Sequence, residues 1–227
     1  MRRMRAVLAV LLACVAGACA HAAARTPDLV SIQALVPDID LDIRYAGRDN
    51  FTGAPVPGYD APRCLLLRPA AEALARADAA LRPQDYRLRI FDCYRPRRAV
   101  QAFMAWIDAP DDPTAKATYY PNLDKRALRG DYIAPTSGHS RAATVDLTLL
   151  RCDAGACGPL DMGTPFDFFD PAANTDAPGL TGAQRANRQR LVDAMRAAGF
   201  RNYPMEWWHF TLDPEPAPDV AYDVPVR

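Results

Sequence analysis

The sequence predicts an α+β fold, a small and mainly antiparallel sheet with helices packed against it. Two observations carry that expectation. Three segments alternate apolar and polar residues with the period of a half-buried strand, and three others space their apolar residues as one face of a helix. The two kinds are interspersed, and no internal repeat organises them.

Ile39 to Tyr45 is the first strand, with Ile39, Leu41 and Ile43 alternating with Asp40, Asp42 and Arg44. After a loop rich in Gly and Pro, the alanine-rich stretch from Pro69 to Leu81 places Ala70, Leu74, Ala77 and Leu81 at helical spacing. Tyr86 to Phe91 alternates again through Leu88 and Ile90. The Asp92-Cys93-Tyr94-Arg95 run follows, and Pro96 opens a helix with Val100, Phe103, Met104 and Ile107 on one face. Arg95 therefore belongs to a strand-to-helix junction. Residues 108–135 are polar, interrupted by Pro110 and Pro113, and read as a long excursion with at most one short helix, forming part of a site wall. Thr144 to Leu150 is a strand that turns Val145, Leu147 and Leu149 one way and Asp146 and Thr148 the other. Thr181 and Gln184 have capping-box spacing ahead of a helix that turns Leu191, Val192, Met195 and Ala198 inward and stops at Gly199. Met205 to Leu212 is the last strand.

At the amino end, Arg2, Arg3 and Arg5 precede an apolar run from Ala6 to Ala16 and then small residues, the pattern of a secretory leader. Cleavage fits after Ala22 or Ala24, giving a leader over 1–24 and one domain over 25–227. The apolar run is shorter than the roughly 20 residues that span a bilayer, and no later segment is long or apolar enough. A lipoprotein anchored at Cys19 is the rival reading, weakened because Ala16-Gly17-Ala18-Cys19 lacks a large aliphatic residue three places before the cysteine. Export to the periplasm is the expectation. Basic and acidic residues balance at 27 each without long runs of either sign, which excludes an electrostatic footprint for nucleic acid and points to a small partner. Past the leader remain Cys64, Cys93, Cys152 and Cys157, an even set in an oxidising compartment. Three pairings are open to them. The close spacing of Cys152 and Cys157 suggests a small stapled loop, leaving Cys64 with Cys93, and without C-x-x-C spacing a zinc-thiolate cluster is a poor alternative.

Histidine carries the chemical signal because it is scarce. Of three in the chain, His21 falls in the leader. His139 stands seven residues before Asp146, and His209 three after Glu206, so both remaining histidines have an acidic residue at a motif-like distance. Either one alone reads as a structural or surface residue, and Trp207 and Trp208 as core. Together, two imidazoles and one carboxylate supply the three protein ligands of a catalytic zinc site with a fourth position for water. Glu206 is then the carboxylate left to take the water's proton. A regular strand would place Glu206 and His209, three residues apart, on opposite faces. A bulge or bend near Trp207 resolves this, so the last strand is expected to be irregular.

The chain resembles the D-alanyl-D-alanine dipeptidases of the vancomycin-resistance type, zinc peptidases of family M15 within a wider group that includes D,D-carboxypeptidases and the hedgehog signalling domain. The blocks that carry the resemblance run in order through nearly the whole chain beyond the leader. They are Ile43-Arg44-Tyr45 with Asp49-Asn50-Phe51-Thr52-Gly53, Asp92 to Pro96, Tyr119-Tyr120-Pro121-Asn122, Ser137 to Leu149, Phe166-Asp167, and Glu206-Trp207-Trp208-His209. The resemblance implies that the sheet carries one zinc ion per chain, bound by His139, Asp146 and His209, with Glu206 as base and Arg95 stabilising the oxyanion. A guanidinium there can share the negative charge of a tetrahedral intermediate. Asp92 would orient Arg95, and Tyr45, Ser137 and Asp167 would line the dipeptide site, Asp167 meeting the substrate ammonium and Ser137 the far end.

Two departures stand out. Ala142 occupies a position that is usually glycine in the family, so its loop must tolerate a methyl group or adopt a slightly different bend. Cys93 stands where cytoplasmic relatives commonly have glycine, which fits an exported form with a disulfide to Cys64. The implied reaction is hydrolysis of D-alanyl-D-alanine or a closely related small dipeptide. Its rivals are a zinc D,D- or L,D-carboxypeptidase trimming peptidoglycan stem peptides, and a non-catalytic zinc module binding wall fragments.

Overall fold

The computed structural model describes residues 27–227. The expected leader, with Cys14, Cys19 and His21, lies outside the described residues. Among them no helix is long and apolar enough to cross a membrane.

In chain order the elements are β1 (Leu29–Ser31), β2 (Asp40–Leu41), β3 (Leu65–Leu67), α1 (Arg68–Leu81), β4 (Tyr86–Asp92), α2 (Arg97–Asp108), α3 (Pro113–Tyr119), β5 (Thr144–Asp153), β6 (Ala156–Pro159), α4 (Gly182–Ala197), β7 (Phe200–Asn202) and β8 (His209–Leu212). β1 and β3 form a small antiparallel pair, while the main sheet runs β2-β4-β5-β8-β7 with β6 hydrogen-bonded to the far end of β5. Only β2 and β4 pair in parallel; the other neighbours are antiparallel, as the alternating patterns suggested.

The helices form where the patterning placed them. In α1, Pro69 occupies the first turn, where no amide hydrogen is needed, and the alanine stripe with Leu74 and Leu81 is buried. Ala99, Val100, Phe103 and Ile107 are the buried face of α2. Thr181 and Gln184 close a reciprocal capping box on α4, Leu191 and Met195 face the core, and Gly199 takes φ 98 just past its end.

Two predicted strands are shorter than expected. Ile39 to Tyr45 contributes only Asp40–Leu41, because the chain then winds into a 3-10 turn at Arg44–Ala46. That turn is held by Arg44, which donates to Asp42 and Asp49, and by the Asn50 amide, which donates to the carbonyls of Arg44, Gly47 and Ala54. Ile39, Ile43 and Tyr45 are nonetheless buried, so the alternation recorded burial rather than sheet pairing. The last strand begins at His209, and Met205 to Trp208 are turn. The short strands β1, β3, β6 and β7 were not anticipated.

Both expected disulfides are present. Cys64–Cys93 ties the end of the loop before β3 to the segment leaving β4, with the Cα atoms 5.1 Å apart. Cys152–Cys157 joins directly opposed residues of the β5–β6 hairpin, whose two-residue tip, Ala154 and Gly155, has φ 47 and 85.

Ala142 adopts the left-handed conformation, φ 58, fully buried at the end of a 3-10 turn, Gly138–Arg141. Its amide donates to the His139 carbonyl and its own carbonyl accepts from Leu67 at 2.8 Å. The methyl group is therefore accommodated in a left-handed bend. Relief of about 1–2 kcal/mol of left-handed strain in Ala142→Gly is offset by glycine's added chain entropy and about 0.8 kcal/mol of lost methyl burial. That variant should stay within about 1 kcal/mol of the parent in a urea titration, whereas Ala142→Val, β-branched at positive φ, should lose roughly 2 kcal/mol or more.

Candidate active site

The centre of the site is a row across three adjacent strands. Asp92 on β4 lies opposite Asp146 on β5, and Asp146 lies opposite His209 on β8. Opposed residues of an antiparallel pair share a face, so all three side chains project on one side of the sheet. This depends on an irregularity in β4. Ile90 pairs with Leu147, whose side chain points away from the Asp146 face, so regular pairing would put Phe91 opposite Asp146 and send Asp92 to the wrong side. The register shift between Ile90 and Asp92 brings Asp92 onto the site face, and Phe91 stacks on Phe166 at 4.6 Å.

His139 completes the cluster from the 3-10 turn that precedes β5. Its Nδ1 lies 2.7 Å from the Cys93 carbonyl, which can only accept, so Nδ1 carries the proton and the Nε2 lone pair faces the cluster. Nε2 is 3.3 Å from His209 Nδ1 and 3.2 Å from Asp146 Oδ2, while His209 Nδ1 is 3.1 Å from Asp146 Oδ1. Asp146 meets the two imidazoles through different oxygens, and the candidate ligand atoms of the three side chains all lie within 4.8 Å of one another. Asp146 Oδ1 is buried without a hydrogen-bond donor. Converging lone pairs and an orphaned carboxylate oxygen are a donor set that a divalent cation satisfies, and His139, Asp146 and His209 fit zinc. Burial by itself would raise the Asp146 carboxyl, whereas the protonated forms of His139 and His209 would hold it well below the usual carboxylate range, a part that a cation bound by their lone pairs would take over.

Arg95 reaches the same face from the strand-to-helix junction. Asp92 Oδ2 accepts from its Nε at 3.0 Å and pairs with its NH2 at 2.9 Å, and that nitrogen is 3.6 Å from Asp146. The guanidinium lies over the rings of Tyr45 and Phe103, 5.1 Å from each centroid. The other oxygen of Asp92 accepts from Tyr59 at 2.6 Å and from the Cys93 amide. Asp92 is fully buried and each of its oxygens is engaged.

Glu206 and His209 share a face because the chain turns between them. The His209 amide donates to the Glu206 carbonyl, closing a four-residue turn, and the carboxylate comes within 3.4 Å of His209 Nδ1. The Asn202 amide locks this turn by donating to the carbonyls of both Glu206 and His209. Burial pushes the Glu206 carboxyl up to about 7, opposed by His209 and reinforced by the negative charge of Asp146.

Arg95, His139, Asp146, Glu206 and His209 line a cavity of about 230 Å³ whose other walls include Tyr45, Phe51, Phe103, residues 130–134 of the long excursion, Ser137, Asp167 and Phe169. The Tyr45 hydroxyl donates to Asp167, 2.9 and 3.1 Å from its two oxygens. Burial pushes the Asp167 carboxyl well above its ordinary range, and Asp146 adds to the shift. Ser137 caps the His139 turn, its hydroxyl accepting from the His139 amide at 3.3 Å.

The structure thus brings together every residue singled out for the site: His139, Asp146, His209, Glu206, Arg95, Asp92, Tyr45, Ser137 and Asp167. It adds Tyr59 and Asn202, which act on those residues rather than on the cavity's centre. Nothing in their local sequence marks them, since each meets its partner only in the folded chain.

A sheet that presents a metal-competent triad, a neighbouring carboxylate and a buried guanidinium to one small cavity defines a metallopeptidase. Residues 25–227 match the family model described as D-ala-D-ala dipeptidase, peptidase family M15. The D-alanyl-D-alanine dipeptidase of Streptomyces coelicolor is 42% identical over 88% of this chain and 99% of its own length. That of Enterococcus faecium is 41% identical over 85% of this chain and 95% of its own, and that of Escherichia coli 34% identical over 82% and 86%. The chain belongs to the D-ala-D-ala dipeptidase family.

The pairing of Asp92 with Arg95 has a measurable cost of removal. Asp92→Ala leaves a largely buried guanidinium without its main partner and should destabilise the protein by about 3–5 kcal/mol in a denaturant titration. Tyr59→Phe, which removes one hydrogen bond to a charged acceptor, should cost about 1.5–3 kcal/mol in the same titration.

Proposed function

We propose that this protein is an exported zinc dipeptidase that hydrolyses D-alanyl-D-alanine or closely related small dipeptides. The reading includes a leader over 1–24, a single domain over 25–227 with a hedgehog and D,D-peptidase-like fold, and a periplasmic location. The two disulfides, which persist in oxidising compartments, support that location. The observation that carries the activity is the row of Asp92, Asp146 and His209, with His139 closing it and Glu206 beside it in a small cavity. The names of the relatives from Streptomyces coelicolor and Enterococcus faecium support the substrate.

His139, Asp146 and His209 would hold the ion, one per chain. When bound, zinc supplies Lewis acidity, acidifying a water molecule and polarising the scissile carbonyl. Glu206 takes the proton from the attacking water and returns it to the nitrogen of the departing amino acid as the peptide bond breaks. Arg95, braced by Asp92 and flanked by two aromatic rings, shares the negative charge that develops on the carbonyl oxygen. Asp167, oriented by Tyr45, accepts the substrate ammonium at one end of the cavity. Ser137 meets the carboxyl-terminal end. The names of the relatives favour a free dipeptide over the longer stem peptides of a carboxypeptidase. The presence of both Glu206 and Arg95 favours catalysis over passive binding of wall fragments.

The purified protein should contain one zinc per chain by elemental analysis and release alanine from D-alanyl-D-alanine. Glu206→Ala should lower kcat by about 10²–10⁴-fold with zinc retained, whereas His209→Ala should lose both zinc and turnover. Full activity in either variant overturns the assignment.

A further inference from the structure

Helix α4 buries an arginine that the proposed reaction does not use. Arg188 is 1% exposed, yet its guanidinium donates to backbone carbonyls, those of Met162 at 2.7 Å, Ala172 at 3.0 Å and Asn174, rather than to a carboxylate. Burial pulls its pKa down to about 10, with Asp161 and Asp176 opposing only through space. A buried cation neutralised by neutral acceptors alone is costly, and an apolar side chain of similar size would fill the same volume more cheaply. Its geometry shows what it holds. The three carbonyls flank Asp167 on both sides within the connection between β6 and α4, residues 160–181, whose one regular element is a 3-10 turn at Pro171–Ala173. Asp167 itself sits at φ 59, a strained conformation that persists only where its surroundings over-determine it. Gln184 and Asn187, one turn or less before Arg188, donate to the side chain and the carbonyl of Asp161, so the same stretch of α4 grips the start of the segment.

We infer that Arg188 is a positioning residue: by clamping the loop at 162, 172 and 174 it fixes Asp167 against Tyr45 and so sets recognition of the substrate's ammonium group. The inference rests on the proposed function. Captured equally in ground and transition states, the ammonium contributes to KM rather than to kcat. Displacing Asp167 by about 1 Å should therefore weaken substrate binding while leaving the metal ligands and Arg95 in place; Pro204 and Trp207 also pair with residues 175 and 173 of the clamped segment, and Asn202 holds the Glu206 turn independently of it.

The test compares D-alanyl-D-alanine with propionyl-D-alanine, in which hydrogen replaces the amino group, used as a competitive inhibitor. In Arg188→Met, KM for D-alanyl-D-alanine should rise roughly 10–100-fold, while kcat, zinc content and Ki for propionyl-D-alanine stay near the parent values. Arg188→Lys keeps the charge, but one nitrogen cannot span three carbonyls, and the same split should appear at smaller size. This variant carries the test if Arg188→Met does not fold. A proportional rise in KM and Ki, loss of zinc, or an unchanged KM overturns the positioning role. Failure of the parent protein to cleave D-alanyl-D-alanine instead overturns the functional reading on which it rests.

Discussion

The carboxylate of Asp146 is buried in the central strand of the sheet, and the rest of the site is arranged around the cost of putting it there. Asp92, Asp167 and Glu206 are buried close by, so several like charges gather where water screens them poorly. Removing an ion from water costs several kcal/mol unless partners replace the lost hydration. The structure answers in three ways. Arg95 sits between Asp92 and Asp146. Two imidazoles face Asp146 directly. Burial raises the pKa of both Asp167 and Glu206, which lessens the repulsion, and a cation arriving beside either would restore the charged form that the proposed reaction uses. Even so, Asp146 Oδ1 has no donor, and a divalent cation is the partner whose charge and ligand preference match what is left.

That arrangement depends on breaking regular structure at particular points. One irregular residue in β4 moves Asp92 to the site face, and a turn in place of the expected last strand does the same for Glu206. The disulfide between Cys64 and Cys93 lies in the same framework, because the Cys93 carbonyl fixes the tautomer of His139 and its amide donates to Asp92. Closing a loop of about 30 residues removes roughly 3–4 kcal/mol of unfolded-chain entropy, a stabilising contribution on the scale of the destabilising one made by the buried charges.

How far the sequence could be read follows from the range of the interactions. Helices α1, α2 and α4 were legible because periodicity, Pro69 and the Thr181 capping box are local signals. The conflict between Glu206 and His209 was also legible, since strand geometry alone excludes their sharing a face, and the turn at Met205 to Trp208 resolves it. Ile39 to Tyr45 misled because burial alternates there while Asn50, several residues on, draws the backbone into a turn. Strands β1, β3, β6 and β7, of three or four residues each, are too short to establish a period. Tyr59, Asn202 and Arg188 carry no sequence mark at all, for each is defined by a partner that only the fold supplies.

The two strained residues beside the cavity show how the work is divided between sheet and loop. Ala142, between His139 and β5, is held left-handed by backbone bonds to the His139 turn and to β3, so its strain is absorbed by regular structure. Asp167 has no strand to lean on. Its carboxylate is fixed by Tyr45, its neighbour Phe166 by Phe91, and its flanking backbone by α4. Two of the three groups that would hold a metal therefore stand on paired strands and the third on the turn that leads into β5, whereas the group proposed to read the substrate stands on a loop braced from outside. Such a division separates the ligand geometry, set by β5, β8 and the turn before β5, from the setting of the substrate's amino end, which rests with the loop.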